Sequence, residues 1–129
     1  AMLPSRAKVL ELQDAVAQLP QLDLPVAHFF IAGVYVRALP IPAGAVVVGK
    51  LHLQEHIVMV TKGHLRITSD GEPQDFYAGD IWVSKPGSKR AIYAVEDSCI
   101  TTVHRTDETD VEVIENTLVS VDNWLEVKE

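Results

Sequence analysis

The chain has 129 residues, 47% of them apolar and 22% charged, with a formal net charge of −7 and one cysteine. That length carries a single domain with a core of its own, and the composition excludes a chain too polar to fold. Cys99 on its own excludes an internal disulfide framework. With no apolar run long enough to cross a membrane and no secretory signal, a cytoplasmic protein without membrane contact is expected.

Residues 5–19 place Val9, Leu12, Val16 and Leu19 three and four apart, one face of a helix with Ser5 as its N-cap and Pro20 as its stop. Pro20, Pro25, Pro40 and Pro42 then oppose a helix across 20–44. From residue 28 the chain changes to short runs rich in Val, Ile, Thr and Tyr: 28–39, 44–53, 56–61, 64–69, 73–77, 80–84, 90–95, 98–105 and 111–115. Gly33, Gly44, Gly63, Gly71, Gly79 and Gly87 separate them, and Thr68-Ser69-Asp70-Gly71-Glu72 reads as a hairpin in which Gly71 takes a positive φ. Strands this short and this regular predict an all-β antiparallel barrel or sandwich. Residues 118–125 read as a terminal turn ending at Trp124. The organisation expected is a helical arm over 1–27, a barrel over 28–117 and an acidic extension over 118–129.

The negative charge is unevenly placed. Residues 45–105 balance seven Lys and Arg against seven Asp and Glu, whereas residues 106–129 set eight acids against Lys128 alone. An acidic end opposes duplex nucleic acid, whose binding rests on counterion release by Lys and Arg. Four of the five histidines fall in the balanced middle, with a cationic run at Lys85, Lys89 and Arg90.

Chemistry is therefore expected within residues 45–105. Lys50 and His52, two apart, share one face of a strand, and His56 opens the next strand facing back toward them. Arg90 carries a planar fork suited to a carboxylate or phosphate, or to a structural pair with Glu96 or Asp97. Tyr93 and His104 complete the candidate set, while Lys85 and Lys89 flank a turn as solvated lysines. His52-Leu53-Gln54-Glu55-His56 also spells the inverted zinc-peptidase pattern, but that chemistry needs a helix and the flanks here are β-branched.

The spacing of Lys50, His52, His56 and Gly63, then of Gly79, Lys85, Gly87 and Arg90, resembles the two motifs of the cupin superfamily. On that resemblance Lys50 and His52 stand at the two motif histidines, His56 at the glutamate and Arg90 at the second-motif histidine. The resemblance implies an antiparallel jelly-roll barrel, ahead of which lies the short N-terminal helix read from the spacing over 5–19. The run GKLHLQEH, then KPGSKR, then TTVH is similar to small cupin-like proteins encoded by tailed phages and prophages, which would place the chain in a host cytoplasm.

Cupins commonly hold a divalent metal at these four positions, of which only His52 matches here. Two permanent cations and two histidines suit a small anion better than a metal. The leading expectation is a non-enzymatic binder of a small anionic, nucleotide-like ligand, using Lys50, His52, His56, Arg90, Tyr93 and His104 and no cofactor. Its affinity is expected to rise from pH 7.5 to 6 as the histidines charge. The alternative is a metal-dependent isomerase or oxygenase with Zn, Fe or Mn on His52, His56 and His104. A third reading is a structural or interaction module. A homo-oligomer, a dimer first, is expected from the apolar run at His28-Phe29-Phe30-Ile31 and the apolar helix face.

Overall fold

The computed structural model describes residues 4–69, 71–117 and 119–120. Helix α1 (Pro4–Ala17) precedes ten strands: β1 (Ala27–Ile31), β2 (Val34–Ile41), β3 (Val46–Val48), β4 (Leu51–His52), β5 (His56–Lys62), β6 (His64–Thr68), β7 (Gln74–Tyr77), β8 (Ile81–Ser84), β9 (Ala91–Ala94) and β10 (Ser98–Arg105). Helix α2 (Val111–Thr117) and strand β11 (Val119–Ser120) follow. A five-stranded sheet in the order β1-β2-β10-β5-β8 faces a four-stranded one, β3-β9-β6-β7, and β11 pairs with β4. Every pairing is antiparallel. The all-β barrel with a short N-terminal helix is thus observed.

Alternation along these strands builds the core. Leu39 and Ile41 of β2, Val58 and Val60 of β5, Leu65 and Ile67 of β6, and Ile92 and Ala94 of β9 turn inward into one buried cluster with Ile100. Gly63 closes the β5–β6 hairpin at φ +81°, where a β-carbon would collide with Ser98 Oγ and the Asp97 backbone. The first strand run, 28–39, is in fact a hairpin: Ala32 and Gly33 turn the chain, with φ +79° at Gly33, and Ile31 pairs with Val34.

Several local expectations are corrected. Helix α1 is described from Pro4, which puts Ser5 within its first turn. Of its predicted apolar face only Val9 is buried, while Leu12 and Leu19 stay exposed; Gln21 Nε2 donates to the Val16 and Leu19 carbonyls and finishes the helix. The β6–β7 hairpin forms as read, but Gly71 does not take a positive φ.

The largest change is at 111–115, read as a strand and found as α2. The Asp110 carboxylate accepts the Glu112 amide at 2.9 Å and the Asp110 carbonyl accepts the Ile114 amide at 3.0 Å, an N-cap that starts a helix despite the Val and Ile content. Val119 and Ser120 are strand, not turn. The remainder of the turn expected at 118–125, with Trp124, lies outside the described residues. Among those described, no helix is long and apolar enough to cross a membrane.

Candidate functional site

One end of the barrel interior encloses a cavity of about 230 Å³. Strand β2 contributes Tyr35 and Arg37, β10 contributes Thr102 and His104, β4 contributes His52, and Arg90 enters just ahead of β9. Val47, Ile92 and Ile100 form its apolar wall, and Ile114 of α2 covers it. At the mouth Lys50 Nζ meets Glu115 Oε2 at 3.4 Å, both side chains about half exposed.

The local chain path explains these placements. The run expected as one strand over 44–53 breaks at Gly49 and Lys50, leaving Lys50 at the rim. His52 is then held by the 86–90 turn: its amide donates to the Ser88 carbonyl and its carbonyl accepts the Gly87 amide, both at 2.8 Å. His56 starts β5 opposite Ser84 of β8, and His104 sits opposite Tyr35.

Three imidazoles gather in this way. The His52 and His56 rings stack at 4.2 Å between centroids, His56 and His104 at 4.7 Å, and His52 and His104 at 5.8 Å. His104 Nε2 lies 2.8 Å from Thr102 Oγ1, and the Tyr35 ring stacks on His104 at 5.7 Å between centroids. Tyr35 Oη is in turn 2.6 Å from His28 Nδ1.

Arg90 is buried against this stack. Its Nη1 lies 3.2 Å from His56 Nε2 and donates to Ser84 Oγ at 3.1 Å. His56 Nδ1 lies 3.2 Å from the Gln54 carbonyl, which fits a neutral ring that donates there and accepts from the guanidinium. Neither Glu96 nor Asp97 pairs with Arg90; Asp97 instead accepts the Ala43 amide at 2.8 Å. Among the described residues no carboxylate forms an ion pair with Arg90, and the charge nearest it in influence is that of Arg37.

Electrostatics follow from burial. His52 is pushed down to about 2, first by burial and then by Arg90 and the other two imidazoles. Its Nδ1 is buried without a hydrogen-bond partner among the described residues, and the Ser88 backbone, which favours the charged ring, is outweighed. His56 falls to about 4 through burial and then Arg90, and His104 to about 3 through burial, His56 and the two arginines. Burial lowers Arg90 to about 10, with Arg37 assisting, so it remains charged at neutral pH. Burial also raises Tyr35 above its usual range. The expectation that the histidines gain charge between pH 7.5 and 6 is therefore overturned: all three stay neutral there, and the charge inside the barrel is that of guanidinium.

Lys50, His52, Arg90 and His104 thus meet along one cavity, with His56 behind Arg90. Tyr93 does not join them. The two-residue period that turns Arg90, Ile92 and Ala94 inward turns Tyr93 out, where it is exposed opposite Arg66. Lys85 is solvated as expected, but Lys89 is buried. Arg37 and Tyr35 were missed. Their signal was an arginine at an inward position of β2 between Tyr35 and Leu39, visible only once the strand's phase is known.

These residues do not make a set of metal ligands. The rings are stacked on one another, the Arg90 guanidinium lies 3.2 Å from His56 Nε2, and among the described residues no carboxylate pairs with them. Among the described residues no group of three or more His, Cys, Asp or Glu side chains is arranged to hold a metal.

No protein-family model matches the chain, and no curated protein matches it. Solved structures do. A cupin superfamily protein of Desulfitobacterium hafniense aligns over 72% of this chain and 86% of its own, with a TM-score of 0.58 and 13% identity. The KdgF protein of a Halomonas species aligns over 72% and 88%, with a TM-score of 0.58 and 16% identity. An RmlC-like cupin of Methanocaldococcus jannaschii, a double-stranded β-helix, aligns over 70% and 86%, with a TM-score of 0.56 and 16% identity. The fold is a double-stranded β-helix like that of these cupin structures; at these identities the likeness is one of fold alone.

Proposed function

We propose that this protein is a binder of a small anionic molecule, held in the barrel cavity by Arg90. The observation that carries this reading is a guanidinium buried inside the barrel whose partners among the described residues, His56 and Ser84, are neutral, with a second arginine as its charged neighbour. A buried charge without a counterion costs several kcal/mol, about as much as a bound carboxylate or phosphate would offset. The ligand's charged group meets Arg90, and its body lies against Val47, Ile92 and Ile100. Lys50 acts at the rim, where Glu115 already faces it, so its share in binding is secondary.

The cavity of about 230 Å³ lies below the ~300–1,000 Å³ of most small-molecule sites, which favours a compact anion. A nucleotide-like ligand, suggested by the sequence resemblance to phage and prophage proteins, would have to extend past Lys50 into solvent. No catalytic step and no cofactor belong to this reading. The alternative, a metal-dependent enzyme on His52, His56 and His104, would require the stacked rings to turn and Arg90 to move aside.

Mass spectrometry of small molecules released from the purified protein, paired with elemental analysis, separates the two. An anion at near-stoichiometric ratio that is absent from Arg90→Leu supports the first reading. A stoichiometric divalent metal lost in His52→Ala and His104→Ala overturns it in favour of the second.

A further inference from the structure

A second cavity, of about 380 Å³, shares one lining residue with the first, Arg90. Its volume falls within the usual range for small-molecule sites, which the first cavity does not reach. It is lined by β7 and β8, the edge strands of the two sheets, and by the turns that follow β6 and β8. Trp82 and Ser84 are two apart on β8, so both turn inward while Ile81 and Val83 stay exposed. Trp82 stacks on Phe76 of β7 at 4.3 Å between centroids. Both rings pack against the core yet are only partly buried, so an aromatic pair lines a cleft that solvent reaches.

The buried polar groups of this cleft form a directed chain. Arg90 Nη1 donates to Ser84 Oγ at 3.1 Å, and Ser84 Oγ gives its one proton to Ser88 Oγ at 2.7 Å. The chain ends at Ser88, whose own hydroxyl proton has no acceptor among the described residues. Arg90 Nε and Nη2 likewise make no hydrogen bond among the described residues. A donor chain polarised by a buried guanidinium, with protons left over at both ends, is suited to an anion. The lips add no net charge, because exposed Glu72 and exposed Lys85 stand on opposite turns.

We propose that this cleft is a second ligand site, for a planar aromatic acid whose ring lies on the Trp82–Phe76 pair and whose carboxylate accepts from Ser88 Oγ and Arg90. The proposal rests on the reading of Arg90 as an anion site and adds to it a second approach and a ligand class. The step along β8 from Trp82 to Ser84 spans roughly 7 Å, which a ring bearing a carboxylate on a short arm bridges. Indole and phenyl rings add offset-stacked or edge-to-face contacts to a flat ring that a saturated ring of the same size does not receive. The ring thus selects for aromaticity and the guanidinium for charge.

Fluorescence titration of a Trp124→Phe variant, which keeps Trp82 as the sole tryptophan, tests the proposal. At pH 7.5 and fixed ionic strength, benzoate or phenylacetate should change Trp82 emission saturably. Benzamide should bind about tenfold or more weakly than benzoate, for want of a charge-assisted hydrogen bond. Cyclohexanecarboxylate should bind about threefold or more weakly, for want of ring stacking. Ser88→Ala, a small change at a partly exposed position, should weaken benzoate about tenfold, and Arg90→Leu should abolish the response. The melting temperature of the unaltered chain in benzoate gives a second readout. If phosphate or an aliphatic carboxylate raises the melting temperature while no aromatic acid alters Trp82 emission, this second site is overturned and the anion reading of Arg90 stands. Equal binding of benzoate and cyclohexanecarboxylate, or benzoate binding untouched by Ser88→Ala, overturns the proposal too. No response to any anion by either readout overturns both.

Discussion

Four strands line both ends of the barrel, and the two ends are built on opposite principles. At the closed end β2 supplies Leu39 and Ile41, β5 supplies Val58 and Val60, β9 supplies Ile92 and Ala94, and β10 supplies Ile100. At the open end β2 supplies Tyr35 and Arg37, β10 supplies Thr102 and His104, and the residues that open β5 and precede β9 are His56 and Arg90. The first set is an ordinary apolar core and gives the fold its stability. The second buries a cation and three neutral imidazoles where apolar side chains would fit, which costs stability in the unliganded protein. A fold keeps such a region for what it binds.

The contrast can be broken by acid. Each of the three imidazoles has a folded-state pKa below the ~6.5 of the unfolded chain, at about 2, about 4 and about 3 for His52, His56 and His104. Between these values the unfolded chain binds more protons, so stability is complete above pH ~6.5 and is lost as pH falls toward the folded pKa values. Melting temperatures should be level from pH 8 to 7 and drop steeply below 6, with acid unfolding near pH ~5. A level profile down to pH 4 would mean that the imidazoles are not buried as described.

Mutations at the two ends should differ in sign. Leu65, with no exposed surface at the closed end, should cost about 2–5 kcal/mol on replacement by Ala, measured by urea denaturation. Arg90→Leu should instead raise the stability of the ligand-free protein by about 1 kcal/mol or more, because an unpaired buried charge is removed. A loss on Arg90→Leu comparable to that of Leu65→Ala would show that the guanidinium is a structural element. The smallest effect is expected at the rim: Lys50→Ala removes a half-exposed pair with Glu115, worth at most ~1 kcal/mol in stability.

The closed end was legible in the sequence because β-branched runs between glycines encode both strand length and inward phase. His52, His56 and Arg90 were legible through their motif spacing. Tyr93 was misplaced although the period that turns Arg90 inward already sends it outward. Arg37 and Tyr35 were not visible, since an arginine in an apolar strand looks the same from sequence whether it faces water or a cavity. Helix α2 was hidden by VEVI, whose alternation mimics a strand; only the Asp110 cap distinguishes it. That misreading concealed the Ile114 cover and the Glu115 partner of Lys50. The shift in histidine charge was likewise out of reach, because burial alone drives it.

The central claim is that Arg90 awaits an anion inside the barrel. The most direct measurement is the melting temperature at pH 7.5 and fixed ionic strength, titrated with inorganic phosphate and with two- to six-carbon carboxylates, each carboxylate against its neutral amide. The account predicts that at least one anion raises the melting temperature with the logarithm of its concentration, that its amide does not, and that Arg90→Leu abolishes the rise. Equal responses to anion and amide, or a rise that survives Arg90→Leu, would contradict it.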